Sequence, residues 1–340
     1  MILKKITSAG INWTRSNKTN GGETKGYWHS LCVTPTGRII VGSADTSNNS
    51  GIWYSDDNGI NWTWSNKKDL YWLSLCVTPT GRIIAGSEGL GIWYSDDNGI
   101  NWTESNKKDL YWYSLCVTPT GRIIAGSRES GIWYSDDNGI NWTESNKKDL
   151  YWYSLCVTPT GRVIASSTWD NTGIWYSDDN GINWTQSNET NGYWYSLCVT
   201  PTGRIIVGSA GGAGIWYSDD NGINWTRSNK TNGYETNGYW DSLCVTPTGR
   251  VIAGSAGDAG IWYSDDNGIN WTESNETNGY WYSLCVTPTG RIIAGSAGGK
   301  GIWYSDPECT AVCTKYLDQN GAQEIVTQFK AYCDSLVGGV

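Results

Sequence analysis

Seven near-identical segments of the chain differ at one chemically expressive position, occupied in turn by His29, Leu73, Tyr113, Tyr153, Tyr195, Asp241 and Tyr282. Each follows a tryptophan (Trp28, Trp72, Trp112, Trp152, Trp194, Trp240, Trp281) that is itself preceded by tyrosine. Flat aromatic faces stack on the C–H faces of sugars, and nearby polar groups bond their hydroxyls. Trp112, Tyr113, Trp152, Tyr153, Trp194, Tyr195, Asp241, Tyr282 and His29 are therefore candidate residues for binding a glycan or a protein. The tryptophans have a second reading, as wedges between packed elements. His29 is the only histidine, and with Asp241, Tyr282 and Glu235 it could form a local polar site, although a lone histidine is more often structural. Glycoside hydrolysis needs two carboxylates across a cleft. Asp241 and Glu235 are the nearest approach to such a pair and do not make a convincing one, so no catalytic residue is assigned and a non-enzymatic role is expected.

The elements that position these residues are set by a repeat. Ser-Leu-Cys-Val-Thr-Pro-Thr-Gly-Arg occurs seven times, from Ser30 to Ser283, and Gly-Ile-Trp-Tyr-Ser seven times, from Gly51 to Gly301. A period of roughly 40 residues suits a four-stranded propeller blade. In the unit 72–103, strands are expected at 72–78, 82–87, 91–95 and 100–103, joined by Pro79-Thr80-Gly81, a loop at 88–90 and an Asp96-Asp97-Asn98-Gly99 hairpin turn. Before residue 306 no segment has helical periodicity. The chain begins with a lone fourth strand, 11–14, and its repeats end on a third strand, 301–305. One blade is therefore completed by both ends, which closes the ring and pairs its open edges. The expected fold is an all-β, seven-bladed β-propeller over residues 1–306, followed by a helical tail, 307–340.

Within the hairpin turn, Ser95-x-Asp97-x-Gly99-x-x-Trp102 resembles the Asp-box, or bacterial neuraminidase repeat, and further full matches start at Ser55, Ser135, Ser177, Ser218 and Ser264. The resemblance covers about nine-tenths of the chain. It implies a propeller in which Asp57, Asp97, Asp137, Asp179, Asp220 and Asp266 are structural, each binding turn amides while the box tryptophan packs into the blade. Propellers of this kind include photosystem assembly factors, sorting receptors and sialidase-like glycosidases, so the resemblance alone does not choose a function. In the seventh blade the box is broken, with Thr7-Ser8-Ala9 before Gly10.

Other repeated residues have plainer readings. The seven repeat cysteines (Cys32, Cys76, Cys116, Cys156, Cys198, Cys244, Cys285) share one strand position and are read as inert core thiols. No zinc spacing is present, the Asp-Asp-Asn-Gly turns lack the ligand pattern of a calcium loop, and no metal or cofactor is assigned. The arginines of Thr-Gly-Arg are expected to pair with box carboxylates or cap the turn. Asn12, Asn61, Asn101, Asn141, Asn183, Asn224 and Asn270 head Asn-Trp-Thr triplets and are glycosylation candidates, expected to point outward on the outermost strand. Differences between copies concentrate in the second-to-third strand loops and the blade connections, both on one rim; that rim is where a ligand is expected.

Net charge is −9 at pH 7, which argues against nucleic-acid binding through phosphate neutralisation. No apolar run reaches a membrane span, and Met1–Ile6 lacks an apolar signal region. Core thiols point to the cytoplasm, whereas sequons and tail cysteines point outside the cell, which is favoured. The tail is expected to form helices at about 308–318 and 322–336, with Cys309 facing Cys333 as disulfide candidates and Cys313 spare. Such a hairpin must dock on something, either the propeller's own face or a second copy. A self-assembling structural subunit and a sialidase-like hydrolase are the alternatives to a binding propeller.

Overall fold

The computed structural model describes residues 9–307, apart from 18–25, 45–49, 68–70, 108–109, 148–149, 169–172, 189–191, 211–212, 230–238, 258, 276–278 and 298–299. These residues form seven four-stranded antiparallel sheets, one per blade. The third blade is typical, with strands Tyr111–Val117, Ile123–Arg128, Ile132–Ser135 and Thr143–Glu144 in that spatial order. The seventh joins Tyr280–Val286, Ile292–Ala297 and Ile302–Ser305 to Trp13–Arg15 from the opposite end of the chain. Its closing ladder pairs Trp13 with Ser305, Thr14 with Tyr304 and Arg15 with Trp303, as the split repeat predicts. The expected tail helices, Cys309, Cys333 and Cys313 lie outside the described residues.

Burial follows the alternation of each strand. In Trp28–Val33 the indole, Ser30 and Cys32 are buried, while His29, Leu31 and Val33 are partly exposed. The second strand (Ile39–Ser43 in the first blade) is buried throughout, as expected for a strand covered on both faces. In six blades a glycine here allows close approach: a Cβ on Gly126 would stand 2.8 Å from Cβ of Trp152 in the next blade, while in the fourth blade Ser166 takes the position and donates to the Trp194 carbonyl at 3.1 Å. The first-strand serine fastens the same junction, with Ser74 Oγ donating to the Trp112 carbonyl at 2.8 Å and Ser283 Oγ to that of Trp28, also 2.8 Å, across the closure.

The fourth strands differ from expectation. In six blades they are two residues long and start at the threonine, as in Thr103–Glu104, rather than at Ile100, whereas the closing strand, Trp13–Arg15, starts at the tryptophan. The cause is the box itself. Asp97 Oδ1 accepts the amides of Ile100 and Asn101 at 3.2 and 2.8 Å, drawing both into the turn. Ile100 is consequently 37% exposed rather than buried.

The triplet asparagines do point outward, but their side chains are engaged. Asn101 Nδ2 donates to Asp97 Oδ2 at 2.7 Å, and its Oδ1 accepts from Nδ2 of Asn66, which follows the fourth strand of the preceding blade, at 2.6 Å. Equivalent Asn–Asn bonds run from Asn17 to Asn61, Asn106 to Asn141, Asn146 to Asn183, Asn188 to Asn224, Asn229 to Asn270 and Asn275 to Asn12. They form a complete polar belt around the perimeter, including the closure.

Candidate functional site

The two faces of the ring are built differently. One carries the Pro-Thr-Gly and box turns and is occupied by its own contacts. Arg82 shows the pattern: Nε and Nη2 grip Asp96 at 2.6 and 2.8 Å, Nη1 donates to the Asn138 carbonyl of the next blade at 3.0 Å, and the guanidinium lies 4.2 Å from the Tyr94 ring centre. Arg38, Arg122, Arg162, Arg204 and Arg250 repeat the carboxylate grip. The arginines thus pair with the first carboxylate of the turn, while the second, the box aspartate, turns inward to the amides. Burial pushes the Asp97 carboxyl up. The Asn101 amide and side chain, the Ser95 hydroxyl and the Ile100 amide outweigh this and hold it below the ordinary carboxylate range. Asp57, Asp137, Asp179, Asp220 and Asp266 are lowered in the same way. In the seventh blade, which has no box, Arg291 bonds the Asn58 carbonyl at 3.4 Å and lies 4.8 Å from the Tyr304 ring centre, and its Nε has no hydrogen-bond partner among the described residues.

At the axis the first strands line a channel. On the box face it opens as a funnel of about 900 Å³ walled by the Val-Thr-Pro segments, from Val33 to Pro288. On the opposite face is a second cavity of about 270 Å³, the mouth, lined by His29, Tyr113, Tyr153, Tyr195, Asp241 and Tyr282 above a ring of serines and leucines. The sequence explains the layering. Positions 29, 31 and 33 of the first strand alternate toward the axis, so one variable residue, one leucine and one valine per blade stack along it.

The mouth groups interact around the ring. Tyr113 stacks on Tyr153 at 4.9 Å between ring centres, Tyr153 meets Tyr195 edge-on at 4.7 Å, and His29 stacks on Tyr282 at 4.9 Å. Burial pushes the Asp241 carboxyl up to about 7 and the His29 imidazole down to about 4. Burial, and then the charge of Asp241, holds the phenols of Tyr153, Tyr195 and Tyr282 protonated. No side-chain hydrogen bond or ion pair of Asp241 is found among the described residues. Three blades away, Arg128 bonds Tyr151 and Tyr113 and lies 5.3 Å from the Tyr151 ring centre.

The candidate residues therefore divide. His29, Tyr113, Tyr153, Tyr195, Asp241 and Tyr282 come together at the mouth, on the face that carries the variable loops. Trp112, Trp152 and Trp194 do not join them: each is fully buried between blades and presents no face to a ligand. The wedge reading is correct for them, because Trp and the residue after it project to opposite sides of one strand. Glu235 lies outside the described residues. The composition of the repeat did not single out Tyr27, Tyr193, Tyr239 and Tyr280, which are 46–50% exposed on the same rim. Their signal was the glycine before each tyrosine, where the Leu110-Tyr111 and Leu150-Tyr151 connections carry leucine. A Cβ on Gly192 would lie 2.6 Å from the Trp194 indole, so only glycine lets the connection run flat over that ring. The seven repeat thiols are free, and burial raises Cys76 to about 12. No cluster able to hold a metal and no helix long and apolar enough to cross a membrane occurs among the described residues.

The BNR/Asp-box repeat model matches residues 93–104, 133–144, 175–186, 216–227 and 262–273, each the third-to-fourth strand turn of a blade described above. The chain is an Asp-box β-propeller. The Asp-box at 55–62, outside those matches, makes the same bonds, with Asp57 Oδ1 accepting the Ile60 and Asn61 amides. No curated protein matches the sequence. Solved structures similar to this Asp-box propeller include virginiamycin B lyase from Staphylococcus aureus with quinupristin, at TM-score 0.69 and 14% identity over 87% of this chain and 99% of that one. YCF48 bound to D1 peptide is similar at TM-score 0.69 and 16% identity, over 93% and 100%. A GH74 xyloglucanase from Xanthomonas campestris reaches TM-score 0.66 and 16% identity, over 87% and 54%. At these identities the likeness is one of fold, and the roles of the neighbours are diverse.

Proposed function

We propose that this Asp-box propeller is a non-enzymatic binding module that captures a glycan or protein ligand at the axial mouth of its variable face. The observation that carries the reading is the break in symmetry. Seven equivalent axial positions hold four tyrosines, a histidine, a leucine and an aspartate, whereas structural positions such as the serines and leucines below them are uniform. Uniform residues suffice to close a ring, and an unequal set suits recognition of an unsymmetrical ligand. The neighbours lend support, since YCF48 is described with a bound D1 peptide. The box face is a poorer candidate, because its arginines and carboxylates are consumed in mutual pairs.

The test is a glycan array and a peptide library probed with the full chain and with Tyr113→Ala, Tyr153→Ala and Tyr195→Ala combined. Binding that disappears in the variant supports the reading; binding that persists, or maps to the box turns, overturns it. Conversion of the bound ligand, lost in Asp241→Asn, would favour the hydrolase alternative, with the raised carboxyl as its acid.

A further inference from the structure

We infer that the mouth is an aromatic cage for an organic ammonium group, with Asp241 as its counter-ion. The inference rests on the mouth being the binding site and names the chemistry it selects. The negative face of an aromatic ring attracts a cation, and several rings around one cavity are how proteins hold alkylammonium groups. Here Tyr113, Tyr153, Tyr195 and Tyr282 line one small cavity with Asp241. Asp241 is close enough for its charge to act on Tyr153, Tyr195 and Tyr282, and it has no protein cation of its own among the described residues. A carboxylate held among phenols without a partner is costly in the empty protein, and a bound cation relieves that cost.

The molecule already uses this chemistry on the same rim. Arg128 lies over Tyr111 and Tyr151, and the ammonium of Lys107 stands 3.7 Å from the Trp133 ring centre. Both are engaged away from Asp241, which leaves the other side of the mouth without a resident cation among the described residues. A bare metal ion fits poorly, because a hard cation needs six or more oxygens and the inner ring supplies one carboxylate among the described residues. An anion would face both that carboxylate and the ring faces. A cavity of about 270 Å³ suits a group of trimethylammonium size.

The experiment is calorimetric titration of the full chain with choline, with its uncharged isostere 3,3-dimethylbutanol, and with a peptide bearing trimethyllysine. The expected result is that choline or the peptide binds about tenfold tighter than the isostere. Asp241→Asn should remove that preference, Tyr195→Phe should retain it, and Tyr153→Ala should weaken binding. Choline binding tighter than the peptide marks a free small molecule as the source, and the reverse order marks a modified side chain. Equal binding of choline and isostere overturns the cage, as does an unchanged preference in Asp241→Asn. Neutral glycan binding lost in the triple tyrosine variant, with no ammonium binding, overturns the cage and leaves the binding reading standing. Absence of every ligand from the mouth overturns both.

Discussion

The box face and the mouth face are made by the same strands, yet they resolve polar groups in opposite ways. On the box face of six blades each arginine and each turn carboxylate has a partner fixed by the repeat. Arginine meets carboxylate, the box aspartate meets two amides, and the next blade supplies a carbonyl. On the mouth face Asp241 stands among phenols with no such partner, and its carboxyl rises to about 7 where the box carboxyls fall. One residue type is thus driven in opposite directions by hydrogen bonding at one end of the ring and by desolvation at the other. The difference separates residues that hold the ring from residues left free to meet something else.

The strongest way to break this contrast is to cut the ring. Deleting residues 1–15 removes the closing ladder, the Asn275–Asn12 bond and the Ala9 carbonyl that accepts from Arg250. At on the order of 1 kcal/mol per bond, stability should fall by about 4 kcal/mol or more. Denaturant unfolding measures it, and an unchanged midpoint would contradict the closure. Next, Asp137→Ala strands the Ile140 and Asn141 amides and removes the acceptor of Asn141 Nδ2. A loss of about 2 kcal/mol is expected, with ligand binding at the mouth unchanged. If binding falls as steeply as stability, the two faces are not independent.

Two pH effects sharpen the contrast further. The box carboxyls are depressed, so their contribution is fully present above the ordinary aspartate range, near 4, and is lost as pH falls below it. Asp241 is raised, so the native state holds its proton longer than the unfolded chain and its contribution to stability declines as pH rises from about 4 to about 7, while His29, lowered to about 4, contributes the opposite slope between about 4 and its ordinary value near 6.5. Asp241→Asn should remove that declining share, so that melting temperature climbs with pH between about 4 and 6.5 more steeply than in the unmodified chain, and leave the acid limb intact. Ligand affinity should move the other way, with ammonium binding strengthening as pH rises through 7. The titratable groups facing Asp241 do not interfere there, since Tyr153, Tyr195 and Tyr282 stay protonated and His29, at about 4, stays neutral. The smallest effect belongs to neither face: the repeat thiols, buried apart from the partly buried Cys116 and raised by desolvation, should resist thiol reagents at pH 8 until the protein is unfolded.

The ring, its split seventh blade and the Arg–carboxylate pairs were legible because each is written within one period. Trp13 opposite Ser305 follows from a fourth strand at one end and a third strand at the other. The mouth was legible in its members and not in its place. Alternation separates Trp112 from Tyr113, but nothing in one strand says which side faces the axis. Only the packing of Gly126 against the neighbouring Trp152 decides it. The asparagine belt was invisible for a similar reason: Asn66 and Asn101 belong to different blades, and a periodic sequence read one unit at a time contains no inter-unit bond. The late start of the fourth strands needed the backbone bonds of Asp97, which override the β-propensity of the Ile-Asn-Trp run.

The split blade also bears on how such a chain can change. Its seam falls inside one blade, so every other blade is a whole copy of one four-stranded unit. An unequal crossover between two near-identical copies removes or adds one complete period, and the terminal Trp13–Arg15 strand still meets Ile302–Ser305. Gain or loss of a blade therefore exposes no new sheet edge, and the length of the gene can drift by whole repeats while the molecule's ends keep their fit.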